Sequence, residues 1–276
     1  AYLAAGDFNS DSNTDIAVTD QSTNKVYIFS GDGMGTLSWS ATYSTSAFPQ
    51  GIKTDDFDGN GKLDLAIAVD TGNNLTIFLN NGDGTFASAV TYTAGTNPET
   101  LEIGDFDGNG FKDIAVGNFV SADVSILSGT GSGTFATATS YSAGSGVHGV
   151  AVADWNFDSK QDVAVVNAGS TSISVLNGNG DLTLASAVNF SVGNVPQDIV
   201  TADFNGDTKK DIAVVNQSDN NVSILLNQTV GLIDHFTINT IADQTNGASF
   251  SVTVTAKDIG GLTVSGFTGT VDFTSG

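Results

Sequence analysis

The sequence of 276 residues contains no cysteine and no arginine, and it has only three prolines. Without cysteine the chain cannot form disulfides, and no thiol can serve as a nucleophile or a metal ligand. Stability must therefore come from packing and, where suitable ligands exist, from bound metal. The 33 glycines punctuate many short apolar runs, a pattern that predicts numerous strands joined by turns.

Long hydrophobic runs are also missing. No apolar stretch approaches the roughly 20 residues that a helix needs to cross a bilayer, so we expect no membrane insertion. The chain begins with AYLAAGDF, without methionine, and stops at VDFTSG inside a strand-like pattern. We expect it to be a fragment or a processed piece, and the missing signal peptide then says nothing about the parent protein.

Positive charge is scarce. Eight lysines face 30 acidic residues, for a net charge of −22, and only Glu99 and Glu102 among those acids are not aspartate. The excess of the shorter acid indicates local geometry, because aspartate suits tight loops and metal ligation. The charge argues against nucleic acid or an anionic membrane as a partner, since phosphate contacts need lysine and arginine, and it favours cations.

An internal repeat of 49 residues organises most of the chain. Aspartates recur at this spacing, and the residue four places before each of them is always aliphatic. Five markers at equal spacing exclude coincidence, and an internal repeat decides the fold before any other feature. The pattern is lost after about residue 227. The marker aspartates are Asp7, Asp56, Asp105, Asp154 and Asp203.

Each repeat predicts four short strands. In the second repeat we expect them at residues 52–56, 63–69, 75–79 and 86–92, with the hairpin turn NNGDGT before the last. Four strands in about 40–50 residues is the size of a propeller blade. We therefore predict an all-β protein with a β-propeller of four-stranded blades over residues 1–229. A β-solenoid is the alternative, but its coils are usually only about 20–30 residues long.

The fifth repeat is predicted to have only three strands. We expect its missing strand to lie upstream of Ala1 in the parent protein, where two further repeats would make seven blades. A five-bladed ring is the alternative. Residues 230–276 contain alternating apolar runs without an aspartate motif. They resemble the first half of a bacterial Ig-like β-sandwich module, with too few strands to form one alone.

The strongest candidate site is an aspartate-rich loop of nine residues in each repeat. Positions 1 and 9 are always Asp, positions 3 and 5 are always one Asp and one Asn, and the residue at position 7 varies. Each loop thus offers three carboxylates and one amide oxygen, and position 7 is expected to add its backbone carbonyl. The predicted metal ligands are Asp7, Asn9, Asp11, Asn13, Asp15, Asp56, Asp58, Asn60, Lys62, Asp64, Asp105, Asp107, Asn109, Phe111, Asp113, Asp154, Asn156, Asp158, Lys160, Asp162, Asp203, Asn205, Asp207, Lys209 and Asp211.

These oxygens predict calcium, with about one ion in each of the five loops. Calcium takes six to eight oxygen ligands, and three carboxylates packed together would repel one another without a cation. Small residues at position 6 suit a sharp turn, and the aromatic residue at position 2 is expected to anchor the loop in the core. An EF-hand is excluded, because position 12 is Val or Ile in a strand-like run instead of Glu. Metal-free Asx turns are the alternative.

The segments DFNGDTKKDIAVV, DFDGNGFKDIAVG and NNGDGTF resemble the FG-GAP or VCBS-type repeat of integrin α-subunit propellers and many secreted bacterial proteins. The resemblance covers about residues 1–227. It implies a propeller, commonly seven-bladed, with calcium held between the first two strands of a blade by loop positions 1, 3, 5, 7 and 9. The family's roles include adhesion, carbohydrate recognition and service as accessory modules of large enzymes.

We expect a non-catalytic recognition module that is extracellular or at the cell surface. Extracellular calcium sites commonly bind at about 10⁻⁴–10⁻³ M, far above cytosolic calcium levels. The expected partner is a protein or carbohydrate ligand on the cell surface or in the matrix. The alternatives are an accessory domain of a large secreted enzyme, and a lectin in which Trp39 could stack on a sugar ring.

Nothing in the sequence indicates a catalytic centre. His148 and His235 lie in different predicted domains, and neither has a nucleophile motif beside it. Most closely spaced carboxylates belong to the predicted metal loops. A glycosidase pair needs two suitably placed carboxyl groups, but no pair stands out among the remaining acids Asp20, Asp70, Glu102 and Asp123.

Overall fold

The computed structural model describes residues 1–228, 233–238, 254–258 and 263, and its regular elements are all β-strands. Four antiparallel sheets of four strands follow one another along the chain, and each is built from consecutive strands. A three-stranded sheet comes next, and a separate two-stranded sheet comes last. The described residues contain no helix long and apolar enough to span a membrane.

We call the first five sheets blades 1 to 5. Blade 1 contains β1 (Leu3–Gly6), β2 (Asp15–Asp20), β3 (Lys25–Gly31) and β4 (Leu37–Ser44). Blade 2 contains β5 (Pro49–Asp55), β6 (Asp64–Val69), β7 (Asn74–Phe78) and β8 (Val90–Thr93). Blade 3 contains β9 (Pro98–Gly104), β10 (Asp113–Asn118), β11 (Asp123–Leu127) and β12 (Thr139–Ser142).

Blade 4 repeats the same order. It contains β13 (Val147–Ala153), β14 (Asp162–Asn167), β15 (Ser172–Leu176) and β16 (Val188–Ser191). Blade 5 contains β17 (Pro196–Ala202), β18 (Asp211–Asn216) and β19 (Asn221–Leu225), so in the described residues it has the three strands predicted. The last sheet pairs β20 (Ile233–Ile238) with β21 (Val254–Asp258) in antiparallel fashion.

The second strand of each blade lies at the centre of the core. Every residue of β6, β10 and β14 is buried. Their sequences, DLAIAV, DIAVGN and DVAVVN, are nearly continuous apolar runs, as expected for strands covered on both faces. The neighbouring blades supply that cover, because four apolar clusters fill the spaces between successive blades.

The first strands surround a common space. A cavity of about 540 Å³ is lined by residues of β1, β5, β9, β13 and β17 together. All five blades therefore direct the same strand toward one axis, which is the arrangement of a β-propeller. The predicted all-β propeller of four-stranded blades is confirmed.

A side chain from the hairpin before the fourth strand fills three of the gaps between blades: Phe86, Phe135 and Leu184. Phe86 lies edge-on to Phe8 and Tyr43 of blade 1, with ring centroids 5.7 and 5.6 Å away. Phe86 also bridges back to Asn80, so the fourth strand of blade 2 starts only at β8. The predicted start of that strand at residue 86 is wrong, because burial of this ring bends the chain inward.

The structure does not test two predictions about the tail of the chain. The expected boundary between residues 229 and 230 falls where the described residues stop at 228. The expected Ig-like module rests mainly on residues that lie outside the described part of the chain.

Candidate functional site in the aspartate loops

Each aspartate loop joins the first and second strands of its blade. The third loop, for example, begins at Asp105 directly after β9 and ends at Asp113, the first residue of β10. Because all five loops occupy this connection, they lie at the same end of every blade. The fold thus places the five candidate sites along one rim of the propeller.

The aspartate at position 1 organises the loop backbone. In the third loop, Oδ1 of Asp105 accepts hydrogen bonds from the backbone N–H groups of Gly108 and Asn109, and Oδ2 accepts one from Gly110. In every loop, position 1 accepts the N–H groups of positions 5 and 6. This carboxylate therefore holds the curl that directs the other oxygens inward.

Positions 4 and 6 both adopt left-handed backbone conformations in all five loops. The prediction for position 6 is confirmed, whereas sequence reasoning missed position 4. The signal was present, because three loops have glycine at position 4, the residue that takes positive φ without strain. The other two loops have Ser10 and Phe157 at position 4, and the bulky Phe157, at φ 62°, is the more strained of the two.

The aspartate at position 9 is fully buried and joins two parts of its blade. Oδ2 of Asp113 accepts the N–H of Phe106 in the loop, and Oδ1 accepts the N–H of Gly129 after β11, both at 2.8 Å. The same two bonds occur in the other four loops, at 2.7–3.0 Å. Position 9 thus has a structural task whether or not it binds metal.

At position 9, a negatively charged carboxylate is unfavourable when no cation lies beside it. Burial, with a smaller contribution from the charges of Asp58 and Asp56, raises the pKa of Asp64 to about 6 despite its backbone hydrogen bonds. Burial likewise raises the pKa of Asp113 and Asp162, each beside the carboxylates of its own loop. A cation between these groups would remove the repulsion.

Two loops bring three carboxylates together. Oxygens of Asp56, Asp58 and Asp64 lie within 4.8 Å of one another, and the equivalent group in the third loop does the same. In both loops the aspartate stands at position 3 and asparagine at position 5. Among the described residues, the loops with aspartate at position 5 form no such group. The second and third loops therefore offer the best donor sets for a hard divalent cation.

The amide at position 5 stabilises this arrangement. Asn60 donates from Nδ2 to Asp58 at 3.0 Å, and its Oδ1 accepts the N–H of Lys62 at position 7. The Lys62 side chain reaches Ser10 of the preceding loop at 2.8 Å. The Lys62 side chain thus turns away from its own loop, whereas Lys160 in the fourth loop lies 3.9 Å from Asp158 of its own loop. The role of the position 7 carbonyl stays a prediction.

A contact between blades was missed by sequence reasoning. The carbonyl of Phe8 at position 2 accepts hydrogen bonds from Gly84 N and Asn80 Nδ2 in the hairpin of blade 2. The carbonyls of Phe57, Phe106 and Trp155 accept equivalent bonds from the blade that follows each. Its sequence signal was the glycine-rich turn before the fourth strand, which reads NNGDGT in blade 2. Each of the first four loops is therefore tied to the next blade.

The aromatic residue at position 2 is a core anchor in four of the five loops. Phe8, Phe57, Phe106 and Trp155 are buried, as predicted, but Phe204 in the fifth loop is exposed. The prediction is wrong there, because the next blade that covers the other four aromatics has no counterpart beside blade 5 in the described residues.

The remaining candidate acids have separate partners. Asp20 accepts hydrogen bonds from Ser22 and Thr23, Glu102 pairs with Lys53 at 2.5 Å, and Asp123 accepts from Asn118. Asp70 accepts a longer bond from Gln50, 3.4 Å. Each of these carboxylates is thus held by its own contacts.

The remaining histidine and tryptophan candidates lie apart from the loops. His148 lies 3.4 Å from Glu99 in the first strand of the neighbouring blade. Trp39 is exposed and donates to Thr42. The side chain of His235 lies outside the described part of the structure.

A comparison with protein families supports the predicted 49-residue repeat. A family model described as an FG-GAP-like repeat matches four overlapping segments: residues 7–67, 56–116, 105–165 and 154–214. Comparison with curated proteins gives no match.

Several solved structures share the fold at low sequence identity. BBS1N, from its complex with ARL6DN, has a TM-score of 0.57 and 14% identity over 92% of this chain and 74% of its own. An Agrocybe aegerita lectin that recognises non-reducing terminal N-acetylglucosamine has a TM-score of 0.53 and 21% identity over 82% and 66%. A functionally unknown protein from Desulfotomaculum acetoxidans has a TM-score of 0.58 and 13% identity over 83% and 70%.

Proposed function

This chain belongs to the FG-GAP-like repeat family, and from that premise we propose that it is a calcium-binding recognition module. In this proposal the propeller is non-catalytic and part of a secreted or cell-surface protein. It serves adhesion or the recognition of a protein or carbohydrate. Calcium holds the loops of the rim rigid, and the binding surface lies elsewhere on the blades.

The observation that carries the proposal is the convergence of three carboxylates within 4.8 Å in the second and third loops. Burial and, to a smaller extent, the neighbouring carboxylates raise the pKa of Asp64, so a cation beside this group would stabilise its charged form. Carboxylate and amide oxygens are the ligands that calcium prefers. The residues present therefore fit the ion, with positions 1, 3 and 9 as its carboxylate ligands and position 5 as an amide donor.

The extracellular location follows from the chemistry of the proposed ion. Calcium sites of extracellular modules bind at about 10⁻⁴–10⁻³ M, a concentration found outside the cell. The net charge of −22 supports a role that avoids nucleic acid and anionic membranes. An accessory domain of a large secreted enzyme remains compatible with the same features.

Calcium titration of position-3 variants tests the proposal. We expect D58N and D107N each to lose about one bound ion, or at least about tenfold in affinity at one site, because ligand charge sets affinity. Isothermal titration calorimetry on the chelator-treated protein measures both quantities. D83N, in an exposed hairpin turn outside the loops, is the matched control and should bind like the wild type. Unchanged stoichiometry and affinity in D58N and D107N would contradict the proposal.

A lectin is the second candidate, because a groove between blades 4 and 5 suits a sugar ring. Its volume is about 550 Å³, and its walls include Trp155, Phe190, Asn156 and Asn177. Within the described residues, the buried indole N–H of Trp155 has no hydrogen-bond partner. An aromatic face with nearby amides is suited to stack on a sugar and to bond its hydroxyls.

A glycan array with the purified chain tests this candidate. W155F is a conservative variant, since phenylalanine occupies position 2 in the other four loops. We expect it to keep the fold and to lose any glycan signal that depends on this groove. Binding to no glycan, with or without calcium, would exclude the lectin role.

A further inference from the structure

A ring of polar side chains lies at the end of the propeller axis opposite the aspartate loops. Its members are the second residues of β5, β9, β13 and β17, whereas the aspartate loops follow the other ends of the first strands. The next residues of β5 and β9, Gly51 and Thr100, line the central cavity, so the ring stands at the mouth of that cavity. We call it the axial ring, and it consists of Gln50, Glu99, His148 and Gln197.

Two acidic groups with little exposure meet at the axial ring. The Glu99 side chain is 14% exposed, and its Oε2 lies 3.4 Å from Nε2 of His148. Asp70, which follows β6, accepts a hydrogen bond from Gln50 Nε2 at 3.4 Å. Burial raises the pKa of the Glu99 carboxyl, His148 lowers it, and the charge of Asp70 raises it. The two carboxylates are therefore close enough to repel each other.

Asp70 has an incomplete set of partners. It is 9% exposed, and among the described residues its buried Oδ1 has no hydrogen-bond partner. No lysine or histidine in the described part of the chain forms an ion pair with it. A buried carboxylate oxygen without a donor is costly. A positively charged donor at this oxygen would remove that cost.

The fold does not require a carboxylate at the position of Asp70. The equivalent residue of blade 1, Gln21, is neutral and donates from Nε2 to Oε1 of Gln50. The equivalents in the other blades are uncharged as well, so the packing of the blades does not explain the acid. Those four equivalents are Gln21, Phe119, Ala168 and Gln217.

The charge of this cluster favours a cation as its ligand. Asp70 and Glu99 carry two negative charges when ionised, and His148 supplies at most one positive charge. A metal ion is disfavoured, because the described residues bring three metal-ligating side chains within 4.8 Å of one another only in the second and third loops. An ammonium group instead bonds each oxygen through its own N–H, at about 2.7–2.9 Å. The adjacent cavity of about 540 Å³, whose walls include Ile103 and Val152, has room for an alkyl chain.

We propose that the axial ring and Asp70 bind a small protonated primary amine. The ammonium group donates to Asp70 and Glu99, and the alkyl chain occupies the central cavity. The charged side chains of the site belong to blades 2, 3 and 4, each of which packs against a blade on both sides. The site lies apart from the aspartate loops and does not depend on calcium or on the recognition role proposed above.

An NMR titration with pentylamine and pentanol tests the site. The two probes share an alkyl chain and differ in the charge of the head group. In EDTA at about pH 7, where alkylamines are protonated, we expect pentylamine to bind saturably with a Kd of about 0.1–10 mM, the range for so small a ligand. Pentanol should bind at least about tenfold more weakly, because it has no charge to offer the carboxylates.

Three variants locate the site. D70N and E99Q each remove one charge with little change in size, and each should weaken pentylamine binding at least about tenfold. D20N is the matched control, because Asp20 ends β2 at the same end of the neighbouring blade and bonds Ser22 and Thr23. It should bind pentylamine like the wild type. Circular dichroism melting shows whether each variant is folded, and two variants of the site keep the test valid if one of them unfolds.

Several results would overturn the proposal. These are no saturable binding of pentylamine to the wild type, equal affinity for the two probes, or unchanged pentylamine affinity in both D70N and E99Q. An equal loss in D20N would also overturn it, because it would show a general attraction of the amine to the net charge of −22. Every titration contains EDTA, so a failure here leaves the calcium proposal intact, and a failure of the calcium titration of D58N and D107N leaves this site intact.

Discussion

At the residue scale, the aspartates at positions 9 and 3 of each loop have different roles. Position 9 lies in the core and binds backbone N–H groups on both sides, as Asp113 does with Phe106 and Gly129. Position 3 lies in the loop and has no such backbone link to the rest of the blade, as Asp107 illustrates. The same side chain therefore supports the fold at one position and supplies charge for a cation at the other.

The substitution D113N tests this division. Asparagine keeps one acceptor oxygen but leaves one buried N–H without a partner, which costs about 1–3 kcal/mol. We expect a loss of that size in the free energy of unfolding, measured by urea denaturation in EDTA as well as in calcium. D107N should cost little in EDTA and act only when calcium is present. Equal behaviour of the two variants in EDTA would refute the division.

Glu99 gives a pH prediction. Burial raises its pKa above the ordinary 4.5, although His148 opposes the shift. The folded state therefore holds this proton more tightly than the unfolded chain, and the charged form reduces stability as the pH rises above 4.5. The difference in the free energy of unfolding between E99Q and the wild type should therefore favour E99Q more near neutral pH than at pH 4.5. Urea denaturation at the two pH values measures this, and an equal difference at both would contradict it.

At the element scale, the hairpin between the third and fourth strands joins its own blade to the preceding blade. It supplies the ring that fills the gap between blades and the donors that bind the carbonyl at loop position 2. In blade 3 these are Phe135 and Gly133, which contact Phe57 of blade 2. The hairpin is therefore part of an interface, although its sequence reads as an ordinary turn.

Truncation of Phe135 tests the hairpin. Its ring lies 5.5 Å from the rings of Phe57 and Tyr92, and F135A should lower the free energy of unfolding by about 3–5 kcal/mol. V120A, at an exposed turn of the same blade, should stay within about 0.5 kcal/mol of the wild type. A loss below about 1 kcal/mol for F135A would show that the interface tolerates the void.

At the scale of the whole molecule, repulsion between acidic side chains opposes folding. The chain carries a net −22, and half of its acidic side chains lie in loops along one rim. Repulsion of this kind destabilises the compact state, and it weakens when salt or bound cations screen it. Each of the first four loops also bonds to the next blade, so an ion in one of these loops should stabilise two blades.

Thermal unfolding at several salt concentrations measures this repulsion. In EDTA, the Tm should rise as sodium chloride increases from about 0.02 to 0.5 M, because the Debye length falls below the spacing of the loops. Calcium should raise the Tm further by mass action and reduce the dependence on salt. A Tm that is the same in EDTA and in calcium would refute a stabilising role for the metal.

The sequence by itself determined the 49-residue period, the four-strand blade and the oxygen donors of each loop. The loop donors and the strands depend on neighbours within nine residues or on alternation along a strand, and the period appears when the sequence is compared with itself, so none of the three requires a folded contact to be recognised. Only the tertiary structure decided that, among the described residues, the predicted convergence of three carboxylates occurs in the second and third loops alone. It also decided that Asp113 serves the core and that Phe86 interrupts a predicted strand. Those outcomes depend on backbone curvature and on contacts between blades, such as that of Asn80 with Phe8 across 72 residues. No local pattern contains such a contact, because it exists only once two blades have packed.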